Sequence, residues 1–251
     1  MGMPVSSSMI EHVALQPGYD VLELGAGPGD TGFLAAELVG ASGKLICSDA
    51  SEKMLGIARR RAQEQGITNV EFRRLELEWS DVETASVDVV LCRWAVMLVL
   101  DPAASLQETR RVLRPGGRLA LAVWDVPEHN PWAVIPGRAL IELGHAQPPE
   151  PGAPGMFALA DAAYLESMLS QAGFVEVLIE AVDLSRMHAS FEAYFEETLD
   201  LSQPFARTFA SLGEAEQAEV KQIVAALVRP FVEDDGSLRF AGSSLVAAAT
   251  A

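Results

Sequence analysis

The sequence predicts an α/β fold, a doubly wound and mostly parallel sheet covered by helices on both faces. Two observations lead there. Apolar, strand-like runs alternate with helix-like segments through the first half of the chain. A glycine-rich turn, Gly25-Ala26-Gly27-Pro28-Gly29, joins the first strand to the first helix of that alternation. Parallel neighbours need a crossover, which is usually a helix, so the alternation itself implies the sheet type. Ligands of such sheets bind outside the carboxyl ends of the strands.

The elements follow in order. Residues 20–25 read as a short strand and 30–40 as a helix. Residues 44–49 form a strand ending in Asp49, and 51–65 a helix with Ser51 as N-cap and Gly66 as its stop. Strands are expected over 69–75 and 87–92, then a helix over 102–113 closed by Arg114-Pro115-Gly116-Gly117, then a strand over 118–124. After Trp124 the alternation breaks. Residues 125–160 are rich in proline and glycine and hold one short helix, 133–144. A helix over 161–173 with Asp161 as N-cap and a strand over 174–182 return to the regular pattern. Residues 189–203 and 213–229 read as helices, and 237–248 as a final strand. This divides the chain into a cofactor-binding core (1–124), an inserted cap segment (125–160), a return to the core (161–183), a helical cap insertion (184–236) and a last core strand (237–251). Such insertions usually carry substrate contacts.

Composition narrows the function. The chain has 251 residues and a formal charge of −17, with 35 acidic against 18 basic residues. That balance repels phosphate backbones and argues against a nucleic-acid or membrane partner. Cys47 and Cys92 lie in apolar strand-like runs and read as buried thiols of a reducing cytoplasm. The first eight residues show no basic and apolar leader, and no apolar run reaches the length of a membrane span. The four histidines, His12, His129, His145 and His188, have no metal-ligand spacing, so no metal is expected.

The glycine turn implies a nucleotide-like cofactor. Glycines at alternate positions let a ligand lie on the backbone, and the following helix offers unpaired N–H groups. One frame, Gly27-Pro28-Gly29-Asp30-Thr31-Gly32, satisfies the pattern of dinucleotide dehydrogenases. Glu23 points elsewhere. A carboxylate two residues before the first glycine suits an ammonium or sulfonium better than a pyrophosphate. Asp49 closes the second strand, where an acid can bind both hydroxyls of a ribose.

Glu23-Leu24-Gly25-Ala26-Gly27-Pro28-Gly29 resembles motif I of the class I S-adenosylmethionine-dependent methyltransferases. Asp49-Ala50-Ser51-Glu52-Lys53-Met54-Leu55 resembles that family's Asp-x-Ser-x-x-Met-Leu segment. Leu75-Glu76-Leu77-Glu78, Val87-Asp88-Val89-Val90-Leu91-Cys92 and Leu113-Arg114-Pro115-Gly116-Gly117 match three further segments in the family's order, and the subgroup most similar is the quinone-biosynthesis type acting on small molecules. The resemblance implies a Rossmann-like sheet of about seven strands with an antiparallel C-terminal strand. It implies S-adenosylmethionine as cofactor and S-adenosylhomocysteine as product. Glu23, Gly25, Ala26, Gly27 and Gly29 would then hold the amino-acid end of the cofactor, and Asp49 the ribose. Ala50 and Met54 would pack on the adenine, with Glu76 and the backbone of Leu77 addressing its polar edge. Glu76 departs from the commoner aspartate by one methylene.

The expected activity is methyl transfer to a small, hydrophobic or aromatic metabolite. Arg93 is a candidate partner of the cofactor carboxylate or of an acidic substrate, and Trp94 a candidate face for the sulfonium or a planar acceptor. Structural ion pairing and core packing are the competing roles for these two. His129, in Glu128-His129-Asn130-Pro131-Trp132, is the first candidate for a general base, needed only where the acceptor must lose a proton. His188, Tyr164 and Tyr194 are weaker candidates. The family usually has a longer helical segment before motif I, so a homodimer partner is an alternative source of the cap. Two other functions stay open: a cofactor-binding protein of this fold without transferase activity, and an NAD(P)-dependent oxidoreductase.

Overall fold

A computed structural model describes residues 2–150 and 152–251. Met1 and Pro151, which fall in the expected segments 1–124 and 125–160, lie outside the described residues. The elements are α1 (Met3–Val13), β1 (Asp20–Leu24), α2 (Asp30–Val39), β2 (Lys44–Asp49), α3 (Glu52–Gln65), β3 (Val70–Arg74), β4 (Val87–Arg93), α4 (Pro102–Val112), β5 (Leu113–Trp124), α5 (Pro131–Glu142), α6 (Ala162–Gln171), β6 (Val175–His188), α7 (Phe191–Leu201), α8 (Gln203–Ser211), α9 (Glu214–Leu227) and β7 (Leu238–Thr250). The seven strands form one sheet in the order β3-β2-β1-β4-β5-β7-β6. β1 runs parallel to β2 and β4, β2 to β3, and β4 to β5, whereas β7 is antiparallel to β5. This is the expected doubly wound sheet, and its strand order reverses between β1 and β4, which is where open α/β sheets place ligands.

Local chemistry explains the helix boundaries. The Ser51 hydroxyl accepts from the Met54 N–H at 3.4 Å, and α3 stops at Gly66 with φ +70. Asp161 caps α6 through the Tyr164 N–H at 3.0 Å. β1 and β4 are largely buried between helices and read as apolar runs apart from Asp20, Glu23, Asp88 and Arg93.

Several boundaries differ from the sequence reading. α1 was not foreseen, because Met3–Val13 carries three consecutive serines. Pro4 fits its first turn, and it buries Val5, Met9 and Val13, with Ser6 Oγ 2.8 Å from Thr31 Oγ1. β5 begins at Leu113, not 118. Its register jumps from Val87↔Leu113 to Val89↔Arg118, so the Pro115-Gly116 segment is absorbed as a bulge with Gly116 at φ +78. The expected helix over 189–203 ends at Leu201, and a second helix, α8, starts at once with Pro204 in its first turn. β6 extends to His188 and β7 to Thr250, both beyond the expected ends.

The chain divides into two compact units. The sheet unit comprises residues 2–125, 153–182 and 244–251. Its core includes Val21, Leu22, Leu45, Leu55, Val89, Leu91, Leu119 and Leu121, all essentially inaccessible. The helical unit comprises, among the described residues, 126–150, 152 and 183–243. Its core is built from α5, α7, α8 and α9 around Tyr194, Phe195, Phe205, Phe209 and Phe240.

Candidate cofactor site

The site is assembled at the carboxyl ends of β1 to β4, within the sheet unit. The turn after β1 holds Gly25, Gly27 and Gly29 at φ +62, +54 and +88, a region that L side chains rarely adopt. The three glycines serve different ends. A Cβ on Gly25 would sit 2.4 Å from Ala95 Cβ, and one on Gly29 would meet the Phe33 ring at 2.5 Å. A Cβ on Gly27 would meet nothing within 4 Å, so this residue presents bare backbone to open space.

Hydrogen bonds hold the turn against the next strand. Ala26 N–H donates to the Ser48 carbonyl at 2.8 Å, and Ser48 Oγ donates to the Glu23 carbonyl at 2.6 Å. Asp49 Oδ2 accepts from Gly27 N–H at 2.9 Å, while Oδ1 accepts from Ser51 N–H at 2.8 Å. Each carboxylate oxygen keeps a further lone pair, so Asp49 is oriented by the backbone with acceptor capacity left over.

Glu23 is 2% exposed, and its Oε1 accepts from the Gly32 N–H at 2.9 Å in the first turn of α2. Its carboxyl group is therefore directed at a helix N-terminus, where negative charge is favoured. Oε2 is buried without a hydrogen-bond partner. Burial pushes the carboxyl pKa up to about 8, against smaller opposing effects of the Gly32 N–H and Arg93.

Arg93 and Trp94 leave β4 beside this turn. Arg93 pairs with Asp30 at 3.3 Å, and Arg61 reaches the other oxygen of Asp30 at 2.7 Å and the Pro28 carbonyl at 2.8 Å. The Arg93 guanidinium also lies 4.7 Å from the Trp94 ring centroid. Trp94 has φ +58, an uncommon backbone for a bulky residue. Its ring stacks on Trp124 at 4.3 Å and 11°, and its Nε1–H donates to Ser244 Oγ at 2.9 Å. These contacts hold the strained residue in place.

Ala50 and Met54 are exposed at the start of α3. Glu76 is exposed and Leu77 buried just past β3, and Leu75 N–H donates to the Asp49 carbonyl at 3.4 Å. The structure thus brings Glu23, Gly25, Ala26, Gly27, Gly29, Asp49, Ala50, Met54, Glu76, Leu77, Arg93 and Trp94 to one end of one sheet. His129 belongs to the other unit. That residue is exposed in the 127–129 turn of the helical unit. Sequence reasoning missed Asp30, Arg61 and Ser48. Asp30 carried a signal, an acid opening a helix directly after the last glycine, whereas Arg61 is one of three consecutive arginines in α3 with nothing to single it out.

A model of the methyltransferase domain matches residues 15–141, about half of the chain. The chain belongs to the class I S-adenosylmethionine-dependent methyltransferase family. Among curated relatives, it is 40% identical over 119 residues to an arsenite methyltransferase of Halobacterium salinarum, covering 47% of this chain and 30% of that one. It is 33% identical over 122 residues to the ubiquinone/menaquinone biosynthesis C-methyltransferase UbiE of Cellvibrio japonicus, covering 48% and 49%. The chain therefore spans half or less of the length of these relatives. Among solved structures, the YcgJ protein of Bacillus subtilis shares the fold with a TM-score of 0.66 and 17% identity, over 98% of this methyltransferase-family chain and 97% of the other. Family membership removes the dehydrogenase alternative that one frame of the glycine turn left open.

Proposed function

We propose that this chain transfers a methyl group from S-adenosylmethionine to a small, hydrophobic or aromatic metabolite. The observation that carries the reading is the turn itself. Gly27 offers uncovered backbone in a conformation reserved for glycine, and Asp49 stands beside it, oriented by two N–H groups. The residues fit the cofactor. Gly25 to Gly29 would receive its amino-acid end, with Arg93 near enough to Asp30 to share charge with a carboxylate. Asp49 would accept from the ribose hydroxyls, Met54 and Ala50 would pack on the adenine, and Glu76 with the Leu77 N–H would meet its polar edge. When bound, the cofactor supplies a methyl group on a sulfonium, which is the electrophile. The chain's own contribution is then alignment and exclusion of water. The stacked Trp94 and Trp124 rings, fixed through Ser244, supply an apolar surface at the end of β4 and β5. His129 would act only on an acceptor that must lose a proton.

The −17 charge supports a small-molecule acceptor over nucleic acid. Two buried, unpaired thiols support a reducing compartment such as the cytoplasm; burial raises both, Cys92 to about 12. No helix among the described residues is long and apolar enough to cross a membrane.

Incubation with methyl-labelled S-adenosylmethionine and a metabolite library tests the proposal, label transfer to an aromatic or apolar product being the expected result. Calorimetry with S-adenosylhomocysteine tests the site. Asp49→Ala should weaken binding by about 1–3 kcal/mol, the cost of leaving the ribose hydroxyls unpaired. Unchanged affinity would remove Asp49 from the site.

A further inference from the structure

Residues 75–81, which follow β3 in the sheet unit, form a pinned loop with one large side chain in solvent. Leu75 and Leu77 are buried, and Leu75 N–H donates to the Asp49 carbonyl at 3.4 Å. Glu78 Oε1 accepts from the Leu100 N–H at 3.2 Å. Ser80 is buried, and its N–H and Oγ both donate to Glu108 Oε1, at 2.9 and 3.0 Å. Arg111 Nη2 in turn donates at 2.7 Å to Glu108 Oε1 and at 2.7 Å to the Val82 carbonyl. Between these anchors Trp79 is 82% exposed.

A single exposed apolar side chain needs no explanation. Trp79 differs because it walls a cavity of about 340 Å³, together with Arg74, Leu75, Glu76, Ser80 and Asp81. Two of the charged walls are engaged. Arg74 Nε donates to the Ala50 carbonyl at 3.0 Å, and Asp81 Oδ1 lies 2.8 Å from Arg73 Nη2. The indole and Leu75 give the cavity an apolar character, and Glu76 supplies an acceptor at its edge.

Glu76 and Ala50 connect this cavity to the cofactor. Both belong to the adenine subsite proposed above: Glu76 lines the cavity itself, and the Ala50 carbonyl holds the Arg74 side chain that forms another wall. The amino group of an adenine carries two hydrogens, and an acceptor such as Glu76 uses one of them. The other can be replaced without loss of that hydrogen bond.

We propose that the cavity extends the adenine subsite and that Trp79 is its specificity-determining residue. On the assignment of Glu76 to the adenine, the chain then accepts a cofactor whose exocyclic nitrogen bears an aryl group. The remaining N–H donates to Glu76, and the aryl ring packs on the exposed indole.

Calorimetry of the whole chain with S-adenosylhomocysteine, its N6-benzyl derivative and its N6,N6-dimethyl derivative tests this. The benzyl derivative should bind about tenfold more tightly than the parent, the scale of one aromatic contact. In Trp79→Ala the ratio of benzyl to parent affinity should fall to about one, and Trp79→Phe should restore most of it. The ratio compares two ligands on the same protein, so a general weakening of the fold cancels. The dimethyl derivative has no hydrogen left for Glu76 and should bind about tenfold more weakly than the parent. A benzyl derivative that is excluded, or bound no better than the parent, overturns the proposal and leaves the cofactor assignment standing. So does a benzyl preference that survives Trp79→Ala. Absence of binding by the parent would instead overturn the cofactor site itself, and dimethyl binding equal to the parent's would remove Glu76 from the adenine edge. Either result takes the extended subsite with it.

Discussion

Gly25→Ala should destabilise the chain by about 3 kcal/mol, while Gly27→Ala should cost only about 1 kcal/mol and instead weaken cofactor binding at least tenfold. Both residues are left-handed, at φ +62 and +54, so both alanines meet the same backbone penalty, about 1 kcal/mol. They differ in what surrounds them. The new Cβ at Gly25 would stand 2.4 Å from Ala95 Cβ, far inside contact distance, and either the turn or the segment after β4 must shift. Such overpacking typically adds about 1–3 kcal/mol. A Cβ on Gly27 would meet nothing within 4 Å beyond its own chain neighbours, so the methyl enters free space. That space is where the cofactor is proposed to lie on the backbone, and a Cβ there would hold it off. Urea denaturation of the two variants should give clearly separated midpoints at equal slope. Calorimetry should show Gly27→Ala folded but at least tenfold weaker for S-adenosylhomocysteine. Wild-type affinity in Gly27→Ala would remove the turn from the cofactor site, and equal destabilisation of the two variants would remove the steric argument.

The contrast between these glycines also marks how far the sequence can be read. The strand-turn-helix around Gly25 to Gly29, the acid at the end of β2 and the order of segments are local patterns, and local patterns are visible in one dimension. The sheet followed from them because parallel strands joined by helices have few ways to pack. What stayed hidden depends on contacts across the sequence. The spacing Gly25-x-Gly27 does not reveal that one glycine faces Ala95 and the other faces open space. Glu23 read as a carboxylate facing a cofactor, yet its Oε1 accepts from Gly32 nine residues on, which needs the α2 axis to be placed. Trp94 held against Trp124 and Ser244 requires the β4-β5-β7 register, 150 residues apart at its widest. α1 was invisible because its serines obscure a helical stripe of Val5, Met9 and Val13 that only packing reveals. The pairing of Glu197 in α7 with Arg186 and His188 was illegible for a similar reason: the strand is expected to end at residue 182, and the strand periodicity that puts Arg186 and His188 on one face lies beyond that point.

Glu23 makes the second large prediction. Its carboxyl group is fully enclosed, hydrogen-bonded through one oxygen only, and pushed to about 8 by burial. The unfolded chain has an ordinary glutamate, so between about pH 4.5 and 8 the folded state binds more protons than the unfolded one. Stability must then fall as pH rises through this window, because the slope follows the difference in bound protons, unfolded minus folded. The contribution is fully present below the unfolded pKa and is lost by about pH 8. Between pH 5 and 8 the loss is on the order of 3 kcal/mol. His188, whose pKa is lowered by burial, acts with the opposite sign below its ordinary value, so the raw profile mixes the two. The difference between wild type and Glu23→Gln isolates the glutamate, since Gln keeps an acceptor for the Gly32 N–H and has nothing to titrate. Denaturation of both proteins at pH 5, 6, 7 and 8 should show wild type losing about 3 kcal/mol relative to the variant. Parallel profiles would mean that Glu23 is already ionised in the fold. The same proton then reports on the ligand. If a cationic amino group of the cofactor lies near Glu23, it favours the carboxylate, and binding at pH 7 must release close to one proton from the wild-type protein and none from Glu23→Gln. Calorimetry of S-adenosylhomocysteine in buffers of different ionisation enthalpy measures that number directly. Equal proton release by the two proteins would place the amino group elsewhere and leave Glu23 the role its geometry already shows, an anchor for the first turn of α2.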